Sequence, residues 1–146
     1  MLQTVDFSDG QFTARAMTDD EQAAHAASVR EDLLADKNAE IDRSRAAANA
    51  SVFPFQDKLI ACDALSRSDI DGVANHIALF GAFPVGFPGG WKATDKTMLP
   101  LPDVDAFRAL YAAMTEQGTR NFNRSQELKV HLAAASTPEE IAAIQW

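Results

Sequence analysis

Three histidines, one cysteine and 21 carboxylates are the groups with which this 146-residue chain could do chemistry. His25, His76 and His131 fall in three different predicted helices. None has a second histidine three or four residues away, the spacing that turns two imidazoles to one helical face for zinc. His76 lies near an apolar face and reads as a structural histidine. Cys62 is the only cysteine, so it forms neither an internal disulfide nor a zinc cluster. In a predicted hairpin it reads as a small apolar residue rather than a nucleophile. The carboxylates gather at predicted helix starts, at Asp19-Asp20-Glu21, Asp69, Asp103 and Glu139-Glu140. There they cap the helix and complement its dipole. No two carboxylates are seen to converge, as an acid–base pair would require. No serine occupies a Gly-x-Ser-x-Gly elbow. Gly81 and Gly86 have the outer spacing of a phosphate-binding loop, but Phe87-Pro88 stand where Lys and Ser/Thr are needed, and proline has no amide hydrogen to offer. The residues therefore point to no reaction, no cofactor and no metal.

What remains unusual is the segment GAFPVGFPGGWKATD, Gly81 to Asp95, which holds large aromatics where glycine and proline forbid a helix. Its rings, Phe83, Phe87 and Trp91 together with Phe80 before them, can fold back into the space left by alanine-rich helices. A fully buried Phe contributes ~1.5–3 kcal/mol against total stabilities of ~5–15 kcal/mol. Core closure, a protein-contact surface and a ligand site are all open readings. Stacking on bases is disfavoured, because no basic groove accompanies the rings.

The composition narrows the partners. The formal net charge is -8, which disfavours sequence-independent binding to nucleic acid and docking on anionic lipid. No apolar run approaches the ~20 residues of a membrane span. The start, MLQTVDFSDG, lacks a basic flank and an apolar stretch, so no secretion signal is expected. A lone thiol suits a reducing cytoplasm. Other proteins are the expected partners.

The elements that must position these residues read as an α+β fold, small hairpins packed on a few helices. Val5 and Phe7, the turn Asp9-Gly10, and Phe12, Ala14 and Ala16 predict a hairpin over residues 1–17. Alone it is marginal, so it needs something to pack on. Thr18 and Glu21 have capping-box spacing and open a long helix to about Asn49. Its apolar stripe is thin: Ala27, Leu34, Ile41 and Ala48, with Val29 and Leu33 beside it. Either it lies solvated along the domain or it pairs with another chain. Phe53-Pro54-Phe55 and Leu59-Ile60-Ala61 flank a polar turn as a second hairpin. Ser66, with Asp69 at the box position, caps a helix that buries Ile70, Val73, Ala74, Ile77 and Phe80 and stops at Gly81. Trp91 to Leu99 suggests a third hairpin with its turn at Asp95-Lys96. From Asp103 one helix runs to about Ala135, because the stripe Phe107, Leu110, Tyr111, Met114, Gly118, Phe122, Ser125, Leu128 and Leu132 keeps its phase. Gly118 there would be tolerated where a neighbour comes close. Thr137-Pro138-Glu139-Glu140 opens a last short helix. The Ala-rich joint at 46–50 predicts a division into residues 1–49, hairpin and long helix, and residues 50–146, a compact module.

In order, these motifs resemble an uncharacterised domain of tailed-phage and prophage tail proteins, over about residues 34–146. The resemblance is carried by Asn38, Ile41, Arg43 and Arg45, then Phe53-Pro54-Phe55, then Asp63, Ser66, Ile70, Asp71 and Gly72. Trp91-Lys92-Ala93-Thr94-Asp95 follows, then Ala112, Ala113, Phe122 and Leu128-Lys129, and finally Thr137 to Ile141 with Ala143-Ile144 and Trp146. Lys96 stands where that family usually has asparagine, and the N-terminal hairpin lies outside it. The resemblance implies a virion tail protein made in the host bacterial cytoplasm, associated with fibres or baseplate, with no established activity. On that basis the chain is expected to be a non-enzymatic adaptor, a homo-oligomer being possible. Its expected contact residues are Phe83, Phe87 and Trp91 on the module and Leu34 and Ile41 on the long helix. The rival expectations are a fibre-assembly chaperone absent from the mature particle and a small sugar-binding or hydrolytic tail protein.

Overall fold

Alternating apolar residues and a two-residue turn start the chain as a ribbon. In the computed structural model, which describes residues 1–146, strands β1 (Gln3–Ser8) and β2 (Gln11–Ala16) pair antiparallel with Phe7 opposite Phe12. Asp9 and Gly10 both take positive φ, 49° and 79°, as a tight hairpin turn demands. Helix α1 (Asp19–Asn49) begins with a complete capping box between Thr18 and Glu21. β3 (Val52–Phe55) and β4 (Lys58–Ala61) form the second hairpin, and helix α2 (Ala64–Phe80) follows. β5 (Gly90–Lys92) and β6 (Met98–Pro100) form the third, with Trp91 across from Leu99. Helix α3 (Val104–Ala134) and the short α4 (Pro138–Ala142) complete an α+β fold. The three two-stranded sheets do not merge into one; the Thr94 amide donates to the Leu59 carbonyl at 2.9 Å and links the third hairpin to the second, and both pack on helices.

Two hydrophobic clusters hold the body together, and α3 runs through both, while the first hairpin joins neither. The first joins Phe53 and Ile60 of the second hairpin, Ile70 and Ile77 of α2, Leu99 and Leu101, and Phe107, Leu110 and Met114 of α3. The second joins Ile41 of α1 to Leu128, Leu132, Ala135 and Ile141, with Leu33 and Leu34 packed beside it. Between them α3 buries two polar residues, Asn121 and Ser125. The Asn121 amide donates to the Asn49 side-chain oxygen at 2.8 Å, and Ser125 Oγ donates to the Phe122 carbonyl at 2.7 Å. Lys129 pairs with Asp42 at 2.6 Å across the same helix pair. The division expected at residue 49 therefore cuts through packed helices. Contact between α1 and the body reaches back to Arg30, whose guanidinium donates to the Ala135 carbonyl at the end of α3 at 2.8 Å. Gln22 to Val29 are exposed at every position.

Four local expectations change. α2 begins two residues earlier than Ser66, because Asp63 is its cap and accepts from the amides of Leu65 and Ser66. Phe80 is 69 % exposed rather than buried; Gly81 turns the chain in a left-handed cap, and Phe83 and Phe87 already occupy the edge of the core. Phe122 is half-exposed beneath the Arg45 guanidinium, 4.9 Å from its ring centre. α3 does continue through Gly118, but no atom of a neighbouring element lies within 4 Å of where its Cβ would be. No close approach explains that glycine.

Candidate functional site

The connector between α2 and β5 is irregular because its glycines require it: Gly86 and Gly89 take φ of 84° and 74°, values costly for any residue with a Cβ. Gly90 is fixed for a different reason, since a Cβ there would stand 2.6 Å from the Leu99 carbonyl oxygen of the paired strand. Held this way, the Phe83 and Phe87 rings stack parallel at 4.0 Å. Both meet the buried Phe107 ring edge-on, at 6.1 and 6.3 Å. Trp91 meets it at 5.9 Å. Edge-to-face pairs of this kind contribute ~0.5–1.5 kcal/mol beyond the area they bury. All three rings are partly buried against the first cluster, so the connector closes the core while leaving part of each ring open.

The outer side of that closure is a groove of about 640 Å³ between α2 and the connector. Asp69, Gly72 and His76 form one wall, and Phe87, Trp91 and Lys92 form the other. A smaller cleft of about 310 Å³ continues past Trp91 and Lys92 to Ser66 and Thr94, again with Asp69 on its wall. The groove thus joins an indole face to hydroxyls, one imidazole and one ammonium. Asp69 is the single carboxylate along both, so an acid pair for glycoside hydrolysis is not assembled there. His76 lies against Phe80, ring centres 4.6 Å apart. No group of three or more His, Cys, Asp or Glu side chains is placed to hold a metal ion. Cys62 is buried, with the Arg67 guanidinium 3.5 Å from its sulfur.

The strongest electrostatic contacts serve to fasten elements. The Lys58 ammonium at 2.6 Å, with the Thr97 hydroxyl and amide, holds the Asp95 carboxylate well below its ordinary range. This ties the turn of the third hairpin to the second. Arg15 grips Glu21 and Asp6 at 2.6 and 2.7 Å. That grip, with the Thr18 amide, lowers Glu21 to a pKa of about 2.

Beyond the body, the first hairpin is exposed on both faces. Its register puts Val5, Phe7, Phe12 and Ala14 on one side, and Thr4, Asp6, Thr13 and Arg15 on the other. Val5, Phe7 and Phe12 are 62, 64 and 77 % exposed. Of the residues expected to meet partners, Phe83, Phe87 and Trp91 come together, Leu34 is half-buried, and Ile41 is 3 % exposed within this chain. Ile41 faces α3 and α4, so it is spent on intramolecular packing. The hairpin face has no place among those contact residues, although the alternation of Val5, Phe7, Phe12 and Ala14 was the signal for it.

Residues 32–145 match a protein-family model described as a domain of unknown function (DUF4376), and the chain belongs to that family. The match begins close to the point where α1 meets the body, so the hairpin and the exposed start of α1 lie outside it. No curated protein and no solved structure matches the chain.

Proposed function

We propose that this chain is a non-enzymatic structural or adaptor protein of a phage tail, joined to fibre or baseplate proteins by surface contact. The tail context comes from the ordered motifs between Asn38 and Trp146. The contact mechanism rests on one observation above all: an N-terminal arm, the hairpin and the start of α1, projects from the family domain with its apolar face uncovered. A chain that carries such a face while closing its own core is built to touch a neighbour. The partly open rings of Phe83, Phe87 and Trp91 offer a second contact of the kind that anchors interfaces. The single carboxylate of the groove weighs against hydrolysis.

Co-purification of the tagged chain with the tail proteins encoded beside it tests this reading. A stable complex with a fibre or baseplate protein is the expected result, and recovery of the chain free of all of them overturns it. The exposed arm and the charge of -8 also suit a transient grip, which is the assembly-chaperone reading. Stoichiometric presence in purified particles decides for the structural role, and absence from them for the chaperone. A sugar-binding role stands on Trp91 and the hydroxyls beside it, and titration of the chain with host surface glycan, followed by tryptophan fluorescence, tests it.

A further inference from the structure

The third hairpin is paired along one edge of β5 and open along the other. The Ala93 amide donates to the Thr97 carbonyl and the Leu101 amide to the Gly89 carbonyl, both at 2.9 Å. With Trp91 across from Leu99, these bonds fix the phase of the ladder. Gly89, Trp91 and Ala93 bond to the β6 side, and the N–H and C=O groups of Gly90 and Lys92 point the other way. On that outer edge β4 reaches Thr94 alone, through the Leu59 carbonyl. The two strands then part without forming one sheet, and the smaller cleft opens between Ala61 and Lys92.

The groove lies along that edge. Side chains of consecutive strand residues point to opposite faces, so a cavity lined by Gly90, Trp91 and Lys92 together meets β5 from its side. Helix α2 stands across it with Asp69, Gly72 and His76. The volume, about 640 Å³, is that of a ligand site. We propose that the outer edge of β5 takes an extended segment of a partner protein as an added strand, held between β5 and α2.

The edge selects that occupant. Gly90 and Lys92 offer amides and carbonyls at the spacing of a strand, and another extended main chain matches them. A helix does not, because its backbone groups are bonded within it. A sugar can lie on the indole but has no alternating amides and carbonyls for both residues. Charge plays little part: the groove holds one carboxylate, Asp69, one ammonium, Lys92, and the His76 imidazole. At the position opposite Trp91, an apolar side chain of the added strand meets the indole. The added strand is the form of the contact proposed above for Phe87 and Trp91, and it rests on that reading.

Hydrogen exchange of the full chain, followed amide by amide by NMR, tests the edge first. The Lys92 amide should exchange at least ~tenfold faster than those of Trp91 and Ala93, which are bonded to the β6 side. The probe for binding is a peptide of about ten residues selected against the full chain from a random displayed library. It should slow the Gly90 and Lys92 amides. N-methylation of the peptide at alternate residues should weaken binding at least ~tenfold, and at the residues between them should not. Lys92→Pro removes the outward amide without touching a β5–β6 bond and should bind at least ~tenfold more weakly. Lys92→Ala keeps that amide and should bind like the wild type. If Lys92→Pro fails to fold, the N-methylated peptides on the wild-type chain decide. A Lys92 amide as protected as that of Trp91 in the free chain, a library yielding no peptide that binds below about 1 mM, N-methylation tolerated at every position, or a folded Lys92→Pro that binds as well as the wild type would each overturn the inference. So would a host surface glycan that shifts the Gly90 and Lys92 signals where no peptide does. Failure here with a tail complex intact leaves the adaptor reading, which has the hairpin face as well. Peptide binding here without any tail complex supports the added strand and sinks the tail assignment.

Discussion

Replacing Gly118 by alanine isolates one physical effect. Gly118 lies in the middle of α3, far from either cap, in ordinary helical backbone. A methyl group built there meets no neighbouring atom within 4 Å. The substitution therefore adds no clash and removes no contact. What changes is the backbone freedom of the unfolded chain, which is greatest for glycine, so Gly118→Ala should stabilise by about 0.5–1 kcal/mol. For a chain of this size the unfolding entropy is roughly 0.3 kcal/mol per degree, so the melting temperature should rise by about 2–3 °C. Urea unfolding followed by far-UV circular dichroism should give the same m-value and a higher midpoint. The sign is the critical result. If Gly118→Ala lowers the midpoint at low protein concentration, the open space around α3 in the single chain is wrong. If it does so only at high concentration, another copy or partner approaches α3 at this point.

Other outcomes follow from features already described. Phe107→Ala removes the ring on which Phe83, Phe87 and Trp91 all lean and should cost about 3–5 kcal/mol in urea unfolding; a loss below about 1.5 kcal/mol would mean that the connector does not close the core. Lys96 sits at φ 68° in the β5–β6 turn, where asparagine is more at ease, so Lys96→Asn should stabilise by roughly 0.5 kcal/mol, and a destabilised variant would disprove strain at that turn. Glu21, Asp63, Asp95 and Glu140 all have lowered folded pKa values through their hydrogen-bond partners. Groups of this kind stabilise fully above their unfolded pKa and lose that contribution as pH falls. Melting temperature should therefore drop steadily from pH 4.5 to about 2, the interval set by Glu21. A flat profile there would remove the Arg15–Glu21 grip as a contributor.

Much of the fold is legible in local chemistry. Capping boxes at Thr18 and Thr137 place two helix starts, and Asp9-Gly10 places a turn. The unbroken phase from Phe107 to Leu132 carries α3 across a glycine that would otherwise end it. These signals are local, and local physics decides them. What failed required knowledge of neighbours. Phe80 is in phase with Ile77, yet it lies exposed against His76, while rings arriving from the connector pack on the core instead. Asn121 interrupts an apolar stripe in the sequence but is buried, because Asn49, far along the chain, supplies its partner. The thin stripe of α1 gave no means of telling an intramolecular neighbour from an intermolecular one, and Ile41 turned out to face its own chain. The groove beside Trp91 forms only when α2 and β5 meet, so no spacing along the sequence announces it.

The amide pair of Asn49 and Asn121 has a mechanical consequence. It sits at the last residue of α1, and the hairpin hangs from the first, about 45 Å away at 1.5 Å per residue. The pair is one of several fastenings along α1, with Ile41 in the second cluster, Asp42 on Lys129 and Arg30 on the Ala135 carbonyl, so the free part of the arm is the stretch before Arg30. Asn121 is 7 % exposed, so rolling α1 against α3 there breaks a partly buried hydrogen bond as well as the apolar packing. From Arg30 back to the start of α1 at Asp19 the free stretch is about 16 Å at 1.5 Å per residue, so a tilt of about 10° where it leaves the body moves the base of the hairpin by about 3 Å. The contacts from Arg30 to Asn49 together aim the hairpin.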